Sequence, residues 1–566
     1  MELTIAKNPI RSGFYPDPSV CRAGKEFYMV MSSFSCFPGI PIFKSRDLAH
    51  WEQIGNVLNR TSQLPLDGCG HSGGIYAPTI RYHDGLFYVI TTNVSAAASA
   101  RNRKLAAGNF IVTAQKPEGP WSEPHYLGEA ADGIDPSLFF DEDGSCYYCG
   151  TRSNSKGAQY DGDMEIWVQR LDLETMKLTG ESTPIWNGAL RNAIWAEGPH
   201  LYRIDGWYYL LHAEGGTGAD HCVAAARSKC VTGPYTGYSS NPILTHRHLG
   251  REYPVRCVGH ADLVEVPASM TVSGEQKWYL VCLGTRPLNG HTLLGRETFL
   301  AKVAWEDGWP VVNPGIGRLT EELHVDLPPE EVEETHYYTF KSEMLPPEMI
   351  LLRNPDEGFC PLRERKGFLR LPLKPASLKE RVSPAFVGVR QRRFDFDAAA
   401  EFRFFPKGEN EAAGLAFLQS DQFHLKLQII KTSGKAFAQA VFVKAPEATG
   451  EISGDTKDLR TVEELLVQKE LGSPDMIESY VLKLSCRGLY LSLFVTANLK
   501  TDRKDAPLKE LGIKTAGDEV LLAKDIFIGD LSTETAGGFV GNLIGMFASA
   551  CKKTDSYADF EWFYIS

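Results

Sequence analysis

No stretch of this 566-residue sequence approaches the ~18 apolar residues of a membrane-spanning helix. The first ten residues, which include Glu2 and Lys7, also lack the run of roughly seven apolar residues that marks a secretory leader. The expectation is a cytoplasmic protein, or a secreted one if a leader has been removed. Runs of basic charge are missing too. With a formal net charge of −12 and no Lys/Arg cluster, the chain offers no patch to neutralise phosphates, so neither nucleic acid nor a membrane is expected as a partner. The 12 cysteines form no framework: they are spread thinly, and Cys146, Cys149, Cys222 and Cys282 sit in apolar, strand-like runs. Cys146 and Cys149 have metal-finger spacing but no second pair to complete a tetrahedral site, which makes packing the reading and reduced thiols the expectation.

Apolar residues are plentiful, at 43% with 11% aromatics, and the length exceeds what one core organises, so two or more domains are expected. The organising feature is a short stretch, Phe14, Tyr15, Pro16, Asp17, Pro18, Ser19, whose variants return four times. They are Ile75 Tyr76 Ala77 Pro78 Thr79, Gly133 Ile134 Asp135 Pro136 Ser137, Trp195 Ala196 Glu197 Gly198 Pro199, and Gly259 His260 Ala261 Asp262. With Asp17, Ala77, Asp135, Glu197 and His260 aligned, the intervals are 60, 58, 62 and 63 residues. Ten to twelve residues after each of the first four comes an aromatic pair opening an apolar run: Phe27 Tyr28, Phe87 Tyr88, Tyr147 Tyr148 and Tyr208 Tyr209. The fifth pair, Trp278 Tyr279, follows a longer insertion. Strand, tight turn and strand, repeated about every sixty residues, is the pattern of one sheet per repeat. Radial repetition of such sheets makes a β-propeller, here with five blades.

An Asp before Pro is ordinarily only a turn initiator. Five aligned copies change that weighing. If the motif strand is innermost in each blade, the aligned residues surround one central pocket and three of them are carboxylates, a costly cluster unless it serves chemistry. The propeller is expected over residues 1–318 and an acidic, proline-bearing linker with Glu330, Glu331, Glu333 and Glu334 over 319–347. Beyond it, runs at 400–405, 414–419, 423–430, 436–443, 480–484 and 489–495 alternate at strand spacing without the sixty-residue repeat, which predicts a β-sandwich over 348–566. The class is all-β, a five-bladed β-propeller followed by a β-sandwich domain. Gly537, Gly538, Phe539, Val540 and Gly541 read as a bulged strand or a loop tip.

The stretches 14–19, 133–141, 196–202, 259–265 and 284–287 resemble glycoside hydrolase family 43, in particular its two-domain β-xylosidases and α-L-arabinofuranosidases, and the resemblance covers essentially the whole chain. It implies an inverting exo-hydrolase with Asp17 as general base, Glu197 as general acid and Asp135 as the carboxylate that tunes and orients the acid. For inversion, Asp17 and Glu197 are expected roughly 6.5–9.5 Å apart, against ~5–5.5 Å for a retaining pair. It also implies that Arg286 lies beside the sugar, that Phe34 and Tyr76 form aromatic walls, and that Phe539 is inserted into the pocket by the sandwich domain, whose partial closure favours chain ends. Tyr76 stands where Trp is usual in such xylosidases, and Cys36 replaces a larger residue; both bear on fine specificity. His260 is implied near the propeller axis. Without the resemblance, Arg286 reads as a solvated or structural arginine, Phe34, Tyr76 and Phe539 as core aromatics, and His260 as a hydrogen-bonded core histidine.

The implied substrates are xylo-oligosaccharides or arabinose-substituted chains, with β-xylosidase activity first and α-L-arabinofuranosidase or dual activity as the alternative. A different class, a carbohydrate-binding propeller without chemistry, is opposed by retention of all three carboxylates. No cofactor is required and no catalytic metal is expected; a structural calcium ion near the axis, and a homo-oligomer, are left open.

Overall fold

A computed structural model describes residues 2–94, 108–250, 252–356, 359, 361–446, 460–500, 506–508, 513–515 and 518–566. It consists of two compact units: one of residues 1–66, 73–287 and 296–332, and a second of residues 67–72, 288–295 and 333–566. Strands dominate both, and the only α-helix among the described residues is the single turn Thr533–Ala536.

The first unit is a five-bladed propeller. Its sheets begin with the inner strands Ser19–Ala23, Ile75–His83, Ile134–Phe140, Glu197–Ile204 and Arg256–Val266, each hydrogen-bonded to the strand that carries the aromatic pair. Four blades have four strands in sequence order; the fourth blade carries a fifth short strand, Leu244–Thr245, beside Cys222–Ser228. The turns between first and second strands follow from local sequence: Asp84 and Gly85 have φ of 47° and 80°, and Asp205 and Gly206 have φ of 48° and 72°. Two consecutive left-handed residues make the turn whose twist matches a hairpin, and Asp-Gly is the pair best suited to it.

The cores lie between neighbouring blades. Phe27, Met29 and Phe43 of the first pack with Tyr279, Val281 and Leu300 of the fifth. Leu211 and Val223 of the fourth meet Leu263, Leu280 and Phe299 of the fifth. The ring therefore holds together through contacts between repeats rather than within one, as expected of units that cannot bury both faces alone.

The segment expected as a linker divides between the units. Glu322–Val325 is a strand of the propeller unit, paired antiparallel with Thr4–Lys7, so that Thr4 opposes Val325 and Lys7 opposes Glu322. Leu323 and Val325 are buried and their neighbours exposed, an alternation that outweighs the acidic composition around them. Tyr337–Thr339 is already a strand of the second unit.

The second unit is the expected sandwich. One sheet runs through Tyr557–Ile565, Phe396–Phe404, Ile477–Arg487 and Tyr490–Leu499, the other through Ala385–Arg390, Leu543–Ser549, Ala412–Leu418, His424–Thr432 and Lys435–Lys444. Phe396 of the first sheet meets Phe417 of the second edge to face, with ring centroids 5.7 Å apart. Gly537 and Gly538, with φ of 73° and 77°, follow the short helix and place Phe539 on a bend, not a bulged strand.

A carboxylate cluster on the propeller's inner strands

The sequence motif is a kink. Asp17, Asp135 and His260 have φ of 56°, 52° and 47°, and beside Glu197 the left-handed residue is Gly198, at 56°. The ladder slips in the same place on four inner strands, between Tyr76 and Thr79, Ile134 and Ser137, Glu197 and His200, and around Gly259; the first inner strand begins just after it, at Ser19. A bulge of this kind re-aims a side chain. Left-handed backbone at a non-glycine residue costs on the order of 1–3 kcal/mol and persists where the surroundings over-determine it. Gly133, two residues ahead of Asp135, shows how tightly: a Cβ there would lie 1.8 Å from the Thr151 carbonyl oxygen.

Asp17 is buried, and both its oxygens are engaged. Ser32 Oγ donates to Oδ2 at 2.5 Å and Arg296 Nη1 to Oδ1 at 2.9 Å, while His260 Nδ1 stands 3.9 Å from Oδ1. Burial by itself would raise the Asp17 pKa, but Arg296, His260, the Ser32 bond and His221 together outweigh it and hold the carboxyl below the usual range. Glu197 has the opposite fate. Burial first, then the negative charges of Asp135 and Asp17, push it well above the ordinary glutamate value, against a smaller pull from Arg296. Asp135 is raised, chiefly by burial and further by Asp17, although His260 and the Gly198 N–H oppose the shift. That N–H donates to Asp135 Oδ2 at 3.1 Å, which ties Asp135 to the backbone of the residue after Glu197.

The histidine sits tightly in this cluster. A Cβ on Gly198 would come within 3.0 Å of the His260 ring, and one on Gly259 within 2.4 Å of the His221 ring. Burial depresses the His221 pKa to about 4, and its Nδ1 faces the Cys257 carbonyl at 3.0 Å.

The arginine at the carboxylates is Arg296. Its guanidinium reaches Asp17 and, at 3.3 Å, Thr217 Oγ1, with its carbon 5.7 Å from the centre of the Phe34 ring. Arg286 is engaged elsewhere: Nε and Nη2 donate to the two oxygens of buried Glu297 at 2.7 and 2.8 Å, and Nη2 also to Ser12 Oγ at 3.1 Å. Nothing in the repeat pattern singled out Arg296, but a charged Arg-Glu pair at the head of the strand Arg296–Glu306, just before the apolar Phe299, Leu300 and Ala301, was a signal that could have done so. Phe34 is buried with φ of 49° and exchanges backbone hydrogen bonds with Ile75 at 2.9 and 3.1 Å. Its ring lies 5.2 Å from Tyr76 and 5.5 Å from Phe14, so the three rings form one aromatic cluster. Phe539, in the second unit, donates its N–H to Ser72 Oγ at 2.8 Å.

Among the described residues, no three His, Cys, Asp or Glu side chains are arranged to hold a metal ion. The acceptors nearest to a calcium-type set on the inner strands, Asp262 and Ser19 with His200 beside them, are directed at the Arg81 guanidinium, at 2.8, 3.3 and 2.9 Å. A cation and a guanidinium cannot share that place, so these residues do not fit the ion.

The model described as glycosyl hydrolases family 43 matches residues 6–310, and that described as the beta xylosidase C-terminal concanavalin A-like domain matches residues 338–566. The chain is 46% identical to a xylosidase/arabinosidase of Butyrivibrio fibrisolvens, over 100% of this chain and 99% of the relative. It is 36% identical to a non-reducing end alpha-L-arabinofuranosidase of Bacteroides ovatus, over 98% and 94% of the two chains. The solved xylan beta-1,4-xylosidase from Bacillus halodurans superposes with a TM-score of 0.83 at 32% identity, covering 99% of this chain and 100% of that one.

Proposed function

The chain belongs to glycosyl hydrolases family 43, and from that premise we propose that it is an exo-acting hydrolase that removes terminal pentose units from xylo-oligosaccharides or arabinoxylan with inversion at the anomeric carbon. The observation that carries this reading is the divergence of two carboxyls, buried Asp17 driven toward the ionised form and half-buried Glu197 toward the protonated one. Those are the states a general base and a general acid need before the substrate arrives. Glu197 gives its proton to the glycosidic oxygen as the bond to the anomeric carbon breaks. Asp17 accepts a proton from water, whose oxygen bonds to that carbon from the opposite face. Afterwards Glu197 is ionised and Asp17 protonated, and exchange with solvent restores both. These proton transfers call for no cofactor.

Asp135 fits the third role in two ways. Its charge adds to the Glu197 shift, and its bond from the Gly198 N–H holds the backbone that carries the acid. Arg296 takes the place that the resemblance gave to Arg286, because it is the arginine on the base. Substitution Arg296→Lys is expected to lower kcat/KM by about 10–100-fold through the lost charged hydrogen bonds. Arg286→Lys should mainly lower Tm, since its fork holds buried Glu297. Steady-state kinetics and thermal melts of both variants separate the two; a kinetic loss confined to Arg286→Lys would return the role to Arg286.

β-Xylosidase activity is the first reading. α-L-Arabinofuranosidase activity is the second, supported by the names of the two relatives, one a xylosidase/arabinosidase and one an arabinofuranosidase. The two sugars present similar hydroxyls, so one pocket can accept both. Turnover of nitrophenyl β-xyloside and nitrophenyl α-arabinofuranoside ranks the activities, and proton NMR of the first sugar released tests the stereochemistry. α-Xylose is expected from a β-xyloside before mutarotation; β-xylose at early times would overturn inversion.

A further inference from the structure

The second blade brings no charged side chain to the pocket, since Ala77 occupies its motif position. Its inner strand nevertheless reaches the inner strands of all four other blades. Thr79 Oγ1 donates to the carbonyl of Pro136, the residue after Asp135, at 2.9 Å. Arg81 does the rest. Nη1 donates to Asp262 Oδ2 at 2.8 Å and Ser19 Oγ at 3.3 Å, and Nη2 to Asp262 Oδ1 at 3.2 Å and His200 Nδ1 at 2.9 Å. Each partner is two or three residues beyond a pocket residue on its own strand: Ser19 beyond Asp17, His200 beyond Glu197, Asp262 beyond His260.

The tie is buried and its polar groups are matched. Asp262 is fully buried and also accepts from Ser19 Oγ at 2.7 Å, the Val20 N–H at 3.0 Å and the Tyr202 hydroxyl at 2.5 Å. Burial opposes its charge, yet Arg81, His200 and the bonds from Arg81 and Tyr202 prevail and keep it ionised. Burial depresses His200 to about 3, so its neutral ring can accept from the guanidinium. A planar fork with several fixed donors can bind three strands at once, which a lysine ammonium cannot do in the same geometry.

We propose that Arg81, assisted by Thr79, is the positioning residue of the pocket: anchored on the one blade without a pocket charge, it fixes the mutual placement of Asp17, Glu197 and His260, and Thr79 that of Asp135. This rests on the functional reading above for its kinetic consequence, though not for its structural one. A displacement of about 1 Å in reacting groups can cost on the order of 100-fold in rate. Neither residue has a place in the proton transfers themselves.

The test compares Arg81→Ala, Arg81→Lys and Thr79→Val with a control at the rim. Arg60 also links two blades, through Glu123 at 2.7 Å and the Trp121 carbonyl at 2.9 Å, but lies far along the sequence from any motif residue. Arg81→Ala and Arg81→Lys are expected to lose about 100-fold in kcat, and added guanidinium ion should restore part of the loss in Arg81→Ala alone. Arg60→Met should retain its kcat. Amide hydrogen exchange supplies a readout independent of activity: in the Arg81 variants it should rise together on the inner strands of blades one, four and five, and in Thr79→Val on that of blade three. A folded Arg81→Ala with unchanged kcat, or faster exchange confined to blade two, would overturn the proposal. Should both Arg81 variants fail to fold, Thr79→Val decides through exchange in blade three. A wild type that hydrolyses neither pentoside would defeat the functional reading while leaving the exchange result to judge the tie.

Discussion

Glu197→Ala is expected to lower kcat by about 10²–10⁴-fold on substrates with poor leaving groups, the range that proton donation to a departing oxygen supplies. On nitrophenyl pentosides, whose leaving group departs without a proton, much of that loss should disappear. The contrast between an alkyl or xylobiose substrate and a nitrophenyl one is therefore the diagnostic measurement; an equal loss on both would remove Glu197 from the acid role. The fold should survive. Glu197 binds a proton in the folded protein at a pH where the unfolded chain has released it, because burial, Asp135 and Asp17 raise its pKa. Its contribution to stability falls as pH rises from the unfolded value through the folded one, and the alanine variant escapes that decline. The Tm at neutral pH is accordingly expected to be held or increased.

The same shift sets the pH profile. Under the proposed roles, activity is expected to need Asp17 ionised and Glu197 protonated, so the acid limb should follow a carboxyl held below the usual range and the basic limb one held well above it. Asp135→Asn removes one of the charges that raise Glu197, and the basic limb is expected to move to lower pH.

Asp17→Asn should be as damaging as the loss of the acid, again about 10²–10⁴-fold in kcat, but with no relief from a better leaving group, since water must be activated in every case. Parallel losses on xylobiose and nitrophenyl xyloside would distinguish base from acid; recovery on the nitrophenyl substrate would exchange the two assignments. Stability moves the other way from Glu197. A carboxyl whose folded pKa is depressed contributes stability that is present above its unfolded value and lost as pH falls through the folded one. Asp17→Asn removes that contribution at neutral pH and leaves Arg296 facing a neutral amide, so a lower Tm is expected.

The reach of the sequence was uneven for physical reasons. Five kinked motifs and five aromatic pairs were legible because each strand writes its own pattern and the pattern repeats. The three carboxylates came with them. Arg296 did not: it opens the third strand of the fifth blade, outside the motif, and only folding reveals that its guanidinium, rather than that of Arg286, reaches Asp17. Arg81 was silent for a similar cause, since its partners Ser19, His200 and Asp262 lie 62, 119 and 181 residues away. The strand Glu322–Val325 was masked by the acidic, proline-bearing composition around it, and its partner Thr4–Lys7 is more than three hundred residues distant. Stretches 67–72 and 288–295, inside the repeat region, belong to the second compact unit, and no composition break announces either.

The pairing of Thr4–Lys7 with Glu322–Val325 also imposes an order on biosynthesis. Early sheets can form on the nascent chain as it lengthens, but the strand pair that ties the beginning of the chain to the segment after the fifth sheet cannot form until the polypeptide has been extended past Val325. A truncated translation product ending before that residue would therefore leave Thr4–Lys7 without the strand that closes over it.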